Sequence, residues 1–178
     1  MPTKPNKIRV GILGASGYTG AELVRLLVRH PQAGIALMTA DRHAGESMAA
    51  VFPHLAGHGL PDLIQIDQAR WDAVDMVFCC LPHGATQEII AGLPERLRVV
   101  DLSADFRLAD VDVYAEWYGQ EHLAPELQGQ AVYGLTEFAR DDIKGTRLVA
   151  SPGCYPTSAL LPLLPLLEFL RNHGVVAR

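Results

Sequence analysis

The 178-residue chain is predicted to fold as an α/β protein with a Rossmann-like, doubly wound, mostly parallel sheet. Three observations predict this. Short apolar runs of strand character alternate with stretches of helical periodicity. One run, "AVDMVFCCLP", is apolar almost throughout, as in strands covered on both faces. The first run ends in glycines at 11, 14, 17 and 20, at the strand-to-helix turn where a nucleotide phosphate is held in this fold class.

The elements follow in order. "KIRVGILG" is the first strand, entered from a short polar lead, "MPTKPN". "YTGAELVRLLVRHP" places Leu23, Leu26 and Leu27 at helical spacing and stops at Pro31. "GIALMTAD" reads as a buried strand. Arg42 to Ile64, rich in Gly, Pro and His, reads as mostly loop. "AVDMVFCCLP" is the next strand and "GATQEIIAGL" the helix after it. "LRVVDLSADF" reads as a strand ending in polar residues. Ala109 to Gln130 is ambiguous, with "VYAEWYG" as a short helix. "TRLVASPG" leads into a turn around Cys154, and an apolar helix follows. The expected organisation is a dinucleotide-binding domain over 1–150, with 151–178 as the cysteine turn and helix that begin a second α/β domain.

Composition narrows the function. A net charge of −5 gives no electrostatic footprint for nucleic acid or an anionic membrane. The longest apolar run, Ala159 to Leu167, is short for a bilayer and contains Pro162 and Pro165. The N-terminus resembles neither a signal nor a transit peptide. Three cysteines, two of them adjacent, do not make a disulfide framework. The expectation is a cytoplasmic protein with reduced thiols. His54 and His58 have the i, i+4 spacing of a metal pair, but no third ligand is evident, so no metal is expected.

Two turns carry chemistry. In "GILGASGYTG", small residues let the backbone approach a pyrophosphate, and the following helix offers free N–H groups. Ser16 and Thr19 either add hydroxyls to a phosphate or cap the helix. At the end of the second strand, "TADRHAG" gives a mixed signal: Asp41 suits a ribose hydroxyl, whereas Thr39 and Arg42 would clamp a 2′-phosphate if Asp41 points away. The second turn is "SPGCYPT". A cysteine there sits at a helix N-terminus, where the dipole and free amides favour a thiolate, and the same amides would hold an oxyanion. Cys79 and Cys80 lie inside an apolar strand and read as inert packing. A nucleophilic cysteine beside a nicotinamide site points to thioester and hydride chemistry.

Taken together, "GASGYTGAELVRLL", "LPHG", "DLSADFRL", "YGLTE" and "SPGCYPTSALL", in this order, resemble the N-terminal part of the N-acetyl-γ-glutamyl-phosphate reductase family of arginine biosynthesis. The resemblance implies NADP as cofactor, a small acyl-phosphate substrate and a homo-oligomeric full-length parent. It implies that Cys154 attacks the acyl carbon and expels phosphate, and that the thioester is reduced to the semialdehyde. Gly14, Ser16, Gly17, Tyr18, Thr19 and Gly20 match the cofactor loop, with Thr39, Arg42 and Pro82 beside it. Ser103 and Arg107 match the region facing the substrate phosphate, although a surface ion pair with Asp105 or Asp110 would also account for Arg107. His83 reads as loop structure. Thr136 stands where the family carries proline. Family members continue past the cysteine helix into a domain that supplies an acid/base histidine. The chain is therefore expected to be inactive by itself. Two alternatives are a stand-alone NADP(H)-binding module and a lysine-biosynthetic relative acting on another acyl phosphate.

Overall fold

The computed structural model describes residues 7–175. The polar lead before Lys7 and the last three residues of the expected second unit lie outside the described residues. Seven strands form one sheet in the order β3-β2-β1-β4-β5-β7-β6. They are β1 (Ile8–Leu13), β2 (Ala33–Thr39), β3 (Leu63–Ile64), β4 (Met76–Cys79), β5 (Arg98–Asp101), β6 (Ala131–Tyr133) and β7 (Leu148–Ala150). Every pairing is parallel, so the expected "mostly parallel" becomes wholly parallel.

The helices are α1 (Tyr18–Leu27), α2 (Met48–Val51), α3 (Thr86–Gly92), α4 (Val111–Tyr118), α5 (Pro125–Gln128), α6 (Thr136–Gly145) and α7 (Cys154–Asn172). The sheet is doubly wound because its central strands alternate between two cores. Val10 and Ile12 of β1 pack with Ala21 and Val24 of α1 on one face. Leu13 turns to the other face, where Val77 and Cys79 of β4 pack with Ile90 of α3. This period-two alternation with both sides apolar is what a central parallel strand requires.

Several segments depart from the sequence reading. The stretch Arg42–Ile64, read as mostly loop, holds α2 and the two-residue strand β3, which pairs Met38 with Leu63 and Thr39 with Ile64. Strand β6 and helix α6 were not expected. The strand read through Phe106 ends at Asp101, because the next residues turn back on hydrogen bonds to the Asp101 side chain. Thr136 is the first residue of α6, where an amide has no intrahelical acceptor and proline or threonine serves equally. Helix α7 runs through Pro162 and Pro165 and has no buried residue.

Candidate active site

The strand order places β1 beside β4, with β2 and β3 on one side and β5, β7 and β6 on the other. Chain direction therefore reverses its winding between β1 and β4, and the crevice at the carboxyl edge there is the ligand position of such sheets. Four turns meet along this edge: the glycine loop after β1, the Pro82–Gly84 turn after β4, the Ser103–Arg107 loop after β5 and the cysteine turn after β7.

The glycine loop is built without room for side chains. Gly14 has φ 73°, and a Cβ there would lie 2.6 Å from the Cys80 carbonyl oxygen. A Cβ on Gly20 would lie 2.5 Å from the Gly14 carbonyl oxygen. Gly17 is the N-cap of α1 and no side chain caps that helix. Ser16 and Thr19 are thus not caps, and the first-turn amides of Tyr18, Thr19 and Gly20 are free for an anion. Tyr18 and Thr19 are exposed. Thr39 is buried, and its hydroxyl accepts a hydrogen bond from the Gly14 amide at 3.4 Å, so it shapes the loop from beneath. Arg42 and Asp41 are both exposed. Arg42 has no side-chain partner among the described residues, and the Asp41 carbonyl accepts from Gln65 at 3.0 Å. A cleft lined by Gly14, Thr39, Asp41, Gln65, Ile66 and Leu81 opens beside them. A backbone cradle of this shape, with uncapped helix amides, fits a dinucleotide.

At the other end of the edge, Cys154 is exposed and is the first residue of α7, with Gly153 as N-cap and no side-chain cap. Thr157 already donates to the Gly153 carbonyl at 3.0 Å, and Pro156 has no N–H. The Cys154 and Tyr155 amides are left as the first-turn donors beside the thiol. By contrast, burial and the nearby Asp101 hold the Cys79 thiol well above its ordinary range and push Cys80 up to about 12.

Arg107 joins the two strand ends. Its Nε donates to the Ser151 carbonyl at 2.8 Å and its Nη2 to the Leu102 carbonyl at 3.1 Å. Its Nη1 lies 3.3 Å from where a Cβ on Gly153 would stand, beside the cysteine turn. Neither expected ion pair forms. Asp105 pairs with His83 at 2.6 Å, and Asp110 caps α4 by accepting from the Asp112 and Val113 amides. Ser103 is buried, with its hydroxyl oxygen 2.6 Å from Asp101 Oδ2 and accepting from the Asp105 amide at 3.0 Å, so its polar atoms are engaged inside the protein. Pro82 is exposed at the head of its turn, which Ala85 closes by donating to the Pro82 carbonyl at 3.3 Å.

Sequence reasoning passed over Asp105 and Thr86 as site residues. Asp105 is fully buried and accepts from the Gly84 amide at 2.7 Å, the Thr86 amide at 3.0 Å and the Thr86 hydroxyl at 2.7 Å. The only sequence signal was that "LPHGAT" and "DLSADF" both follow strands that end at the same edge. Among the described residues, no three His, Cys, Asp or Glu side chains gather as a metal site, and no helix is long and apolar enough to cross a membrane.

Residues 9–146 match the family described as semialdehyde dehydrogenase, NAD binding domain. The chain is 63% identical over 162 residues to a probable chloroplastic N-acetyl-gamma-glutamyl-phosphate reductase of Oryza sativa subsp. japonica, covering 91% of this chain and 39% of that protein. It is 61% identical to the N-acetyl-gamma-glutamyl-phosphate reductase of Rhodospirillum rubrum, again over 91% of this chain, and 47% of that protein. The chain thus spans less than half the length of these curated relatives. Among solved structures, aspartate semialdehyde dehydrogenase with NADP from Candida albicans matches 93% of this chain and 48% of its own, with a TM-score of 0.61 at 19% identity, a likeness of fold.

Proposed function

Because the chain belongs to the semialdehyde dehydrogenase NAD-binding-domain family, we propose that it is the cofactor and nucleophile half of an NADPH-dependent N-acetyl-γ-glutamyl-phosphate reductase. The observation that carries this reading is the shared edge: an uncapped glycine cradle and an exposed helix-N-terminal thiol stand on the ends of strands of one parallel sheet. Reductases of that name are 63% and 61% identical over 91% of this chain, which supports the reading.

The chain's residues divide the work. Gly14, Ser16, Gly17, Tyr18, Thr19 and Gly20 receive the pyrophosphate by backbone N–H and close approach, and Thr39 holds the Gly14 amide from below. Arg42, exposed at the rim, would pair with a 2′-phosphate, which is the reason to assign NADP over NAD. Pro82 lines the cofactor side of the β4 turn. Cys154, as thiolate, attacks the acyl carbon. The carbonyl oxygen gathers charge against the Cys154 and Tyr155 amides, and the acyl–phosphate bond breaks to leave a thioester and free phosphate. A nicotinamide held in the glycine cradle would supply the hydride for reduction of this thioester. The thiol then leaves as the aldehyde carbonyl re-forms.

Arg107 directs a cation toward the departing phosphate, and Ser103 supports it from inside the loop rather than by direct contact. The exposed apolar residues of α7, Leu163, Leu166, Leu167 and Phe169, are the surface that the rest of a longer reductase would cover. That remainder would bring the acid/base group, the other substrate contacts and the oligomer interface. The test is cofactor titration by fluorescence: NADPH should bind at least about tenfold more tightly than NADH, the scale of one charge-assisted phosphate contact. Arg42→Ala should erase most of that preference. Equal affinities in the parent chain would refute the NADP assignment.

A further inference from the structure

Between the β4 turn and the β5 loop lies a chain of polar side chains that the proposed chemistry does not use. Its oxygens make three close contacts in series. Asp101 Oδ2 lies 2.6 Å from Ser103 Oγ, Ser103 Oγ lies 2.9 Å from Thr86 Oγ1, and Thr86 Oγ1 lies 2.7 Å from Asp105 Oδ2. All four residues are buried. Three such contacts need three hydrogens, but the two hydroxyls supply only two, and an ionised carboxylate supplies none. The third hydrogen must come from a carboxyl.

The remaining partners say which one. Asp105 is surrounded by donors: the Gly84 and Thr86 amides, His83 Nδ1 at 2.6 Å and the Tyr114 hydroxyl at 3.4 Å. Tyr114 is free to donate there because its oxygen accepts from Gln87 and Gln120. Asp101, in contrast, receives a single amide, Ser103 N–H at 3.1 Å on Oδ1, and beyond Ser103 only a long 3.4 Å approach of the Thr86 hydroxyl on Oδ2. The proton belongs on Asp101.

We propose that Asp101, Ser103, Thr86, Asp105 and His83 form one buried proton-sharing chain, with a neutral carboxylic acid at Asp101 and an Nδ1–H imidazole at His83 as its two ends. Asp101 donates to Ser103, Ser103 to Thr86 and Thr86 to the Asp105 carboxylate, which also takes the His83 Nδ1 hydrogen. Every hydroxyl then donates once, and every hydrogen has an acceptor. The charges and titratable groups around the chain agree with this order. Burial is the largest influence and raises the Asp101 carboxyl; the Ser103 hydrogen bonds lower it, Asp105 raises it and Arg107 on the same loop lowers it, and the net direction is upward. Cys79 and Cys80 of the neighbouring strand, raised chiefly by burial, stay as uncharged thiols beside Asp101. On the far side Tyr114 and His122 face Asp105, the latter through its Nε2 at 3.0 Å from the Asp105 carbonyl.

The consequence is positional. One carboxylate fixes the Gly84 amide and the His83 ring together, so the β4 turn is locked to the β5 loop that carries Arg107. His83 packs against Tyr118 with ring centroids 4.4 Å apart and the planes tilted by 42°, and its side chain is 35% exposed. Its Nε2 has no partner among the described residues. In the Nδ1–H tautomer that nitrogen presents an acceptor at the carboxyl edge.

Site-resolved NMR of the isotope-labelled chain at neutral pH tests this directly. The Asp101 carboxyl carbon should report the protonated acid, and the His83 ring should carry a hydrogen on Nδ1. Asp105→Asn should switch His83 toward the Nε2–H tautomer, a response that mere loosening of the turn does not produce. Thr86→Val, a near-isosteric change, removes the acceptor for Ser103 and should lower the Asp101 titration relative to the parent. An ionised Asp101 at neutral pH, an Nε2–H ring in the parent chain, or an Asp101 titration unmoved by Thr86→Val would overturn the proposal.

Discussion

At the scale of single residues, the three cysteines separate by environment. Cys154 is exposed at the start of α7, whereas Cys79 is buried and Cys80 partly so, with thiols pushed upward by burial. Only a thiolate alkylates quickly. Limited iodoacetamide labelling of the folded chain, mapped by mass spectrometry, should modify Cys154 first, and faster labelling of Cys79 or Cys80 would remove its assignment as nucleophile. Arg107 makes a different kind of prediction, because its two carbonyl contacts tie the Leu102 and Ser151 strand ends together. A lysine has one head and cannot span both. Arg107→Lys should cost about 1–3 kcal/mol, the worth of a charged hydrogen bond. In a reductase extended by its substrate half, the same change should raise KM for the acyl phosphate with NADPH affinity nearly unchanged. A stability loss without a KM effect would leave Arg107 a structural tie alone.

At the scale of elements, the glycine loop is the most constrained piece of the fold. A methyl group on Gly20 would meet three backbone atoms of the loop, Gly14 O at 2.5 Å, Ala15 Cα at 2.6 Å and Ala15 O at 2.8 Å, and backbone cannot move aside as a flexible side chain can. Gly20→Ala should therefore destabilise the chain by about 1–3 kcal/mol through overpacking. It should also weaken NADPH binding in the same fluorescence titration; unchanged affinity would mean the loop is not the cofactor cradle. This element was legible in the sequence because its information is local: four glycines at fixed spacing between an apolar strand and an amphipathic helix. The cysteine turn was legible for the same reason. Strand β3 was not, since two residues have no period, and Leu63 and Ile64 become a strand only by pairing with Met38 and Thr39. The β5 loop was overrun as strand because "DLSADF" alternates as a strand does. Its true turn depends on the Asp101 carboxyl, which bonds with both the amide and the hydroxyl of Ser103. The pairing of His83 with Asp105 was hidden for a further reason: the two residues sit on separate loops, and only the adjacency of β4 and β5 brings them together.

At the scale of the whole molecule, two carboxylates make stability respond to pH in opposite senses. Arg9 holds Asp75 down, to about 2, so its contribution is present above the ordinary carboxylate range and is lost as the pH falls toward that value. Both partners are substantially exposed, and this effect should be small. Asp101 is raised. Its folded state prefers the proton, so its contribution is greatest in acid and declines as the pH rises through the raised value. Thermal melts of Asp101→Asn against the parent should show a stability difference in favour of the variant that grows from acid to neutral pH; a constant difference would place Asp101 among ordinary carboxyls. The larger arrangement is one carboxyl edge on which β1 presents the cofactor cradle, β4 and β5 are locked by a shared carboxylate, and β7 delivers the thiol, with Arg107 bridging the last two turns. That arrangement is suited to forming a thioester before any hydride moves. The direct test uses the reductase extended to the length of its relatives, incubated with the acyl phosphate in the absence of NADPH. The account predicts release of phosphate with the acyl group recovered on the Cys154 peptide, and loss of both in Cys154→Ser. An acyl adduct on another residue, or enzyme-dependent phosphate release surviving Cys154→Ser, would contradict it.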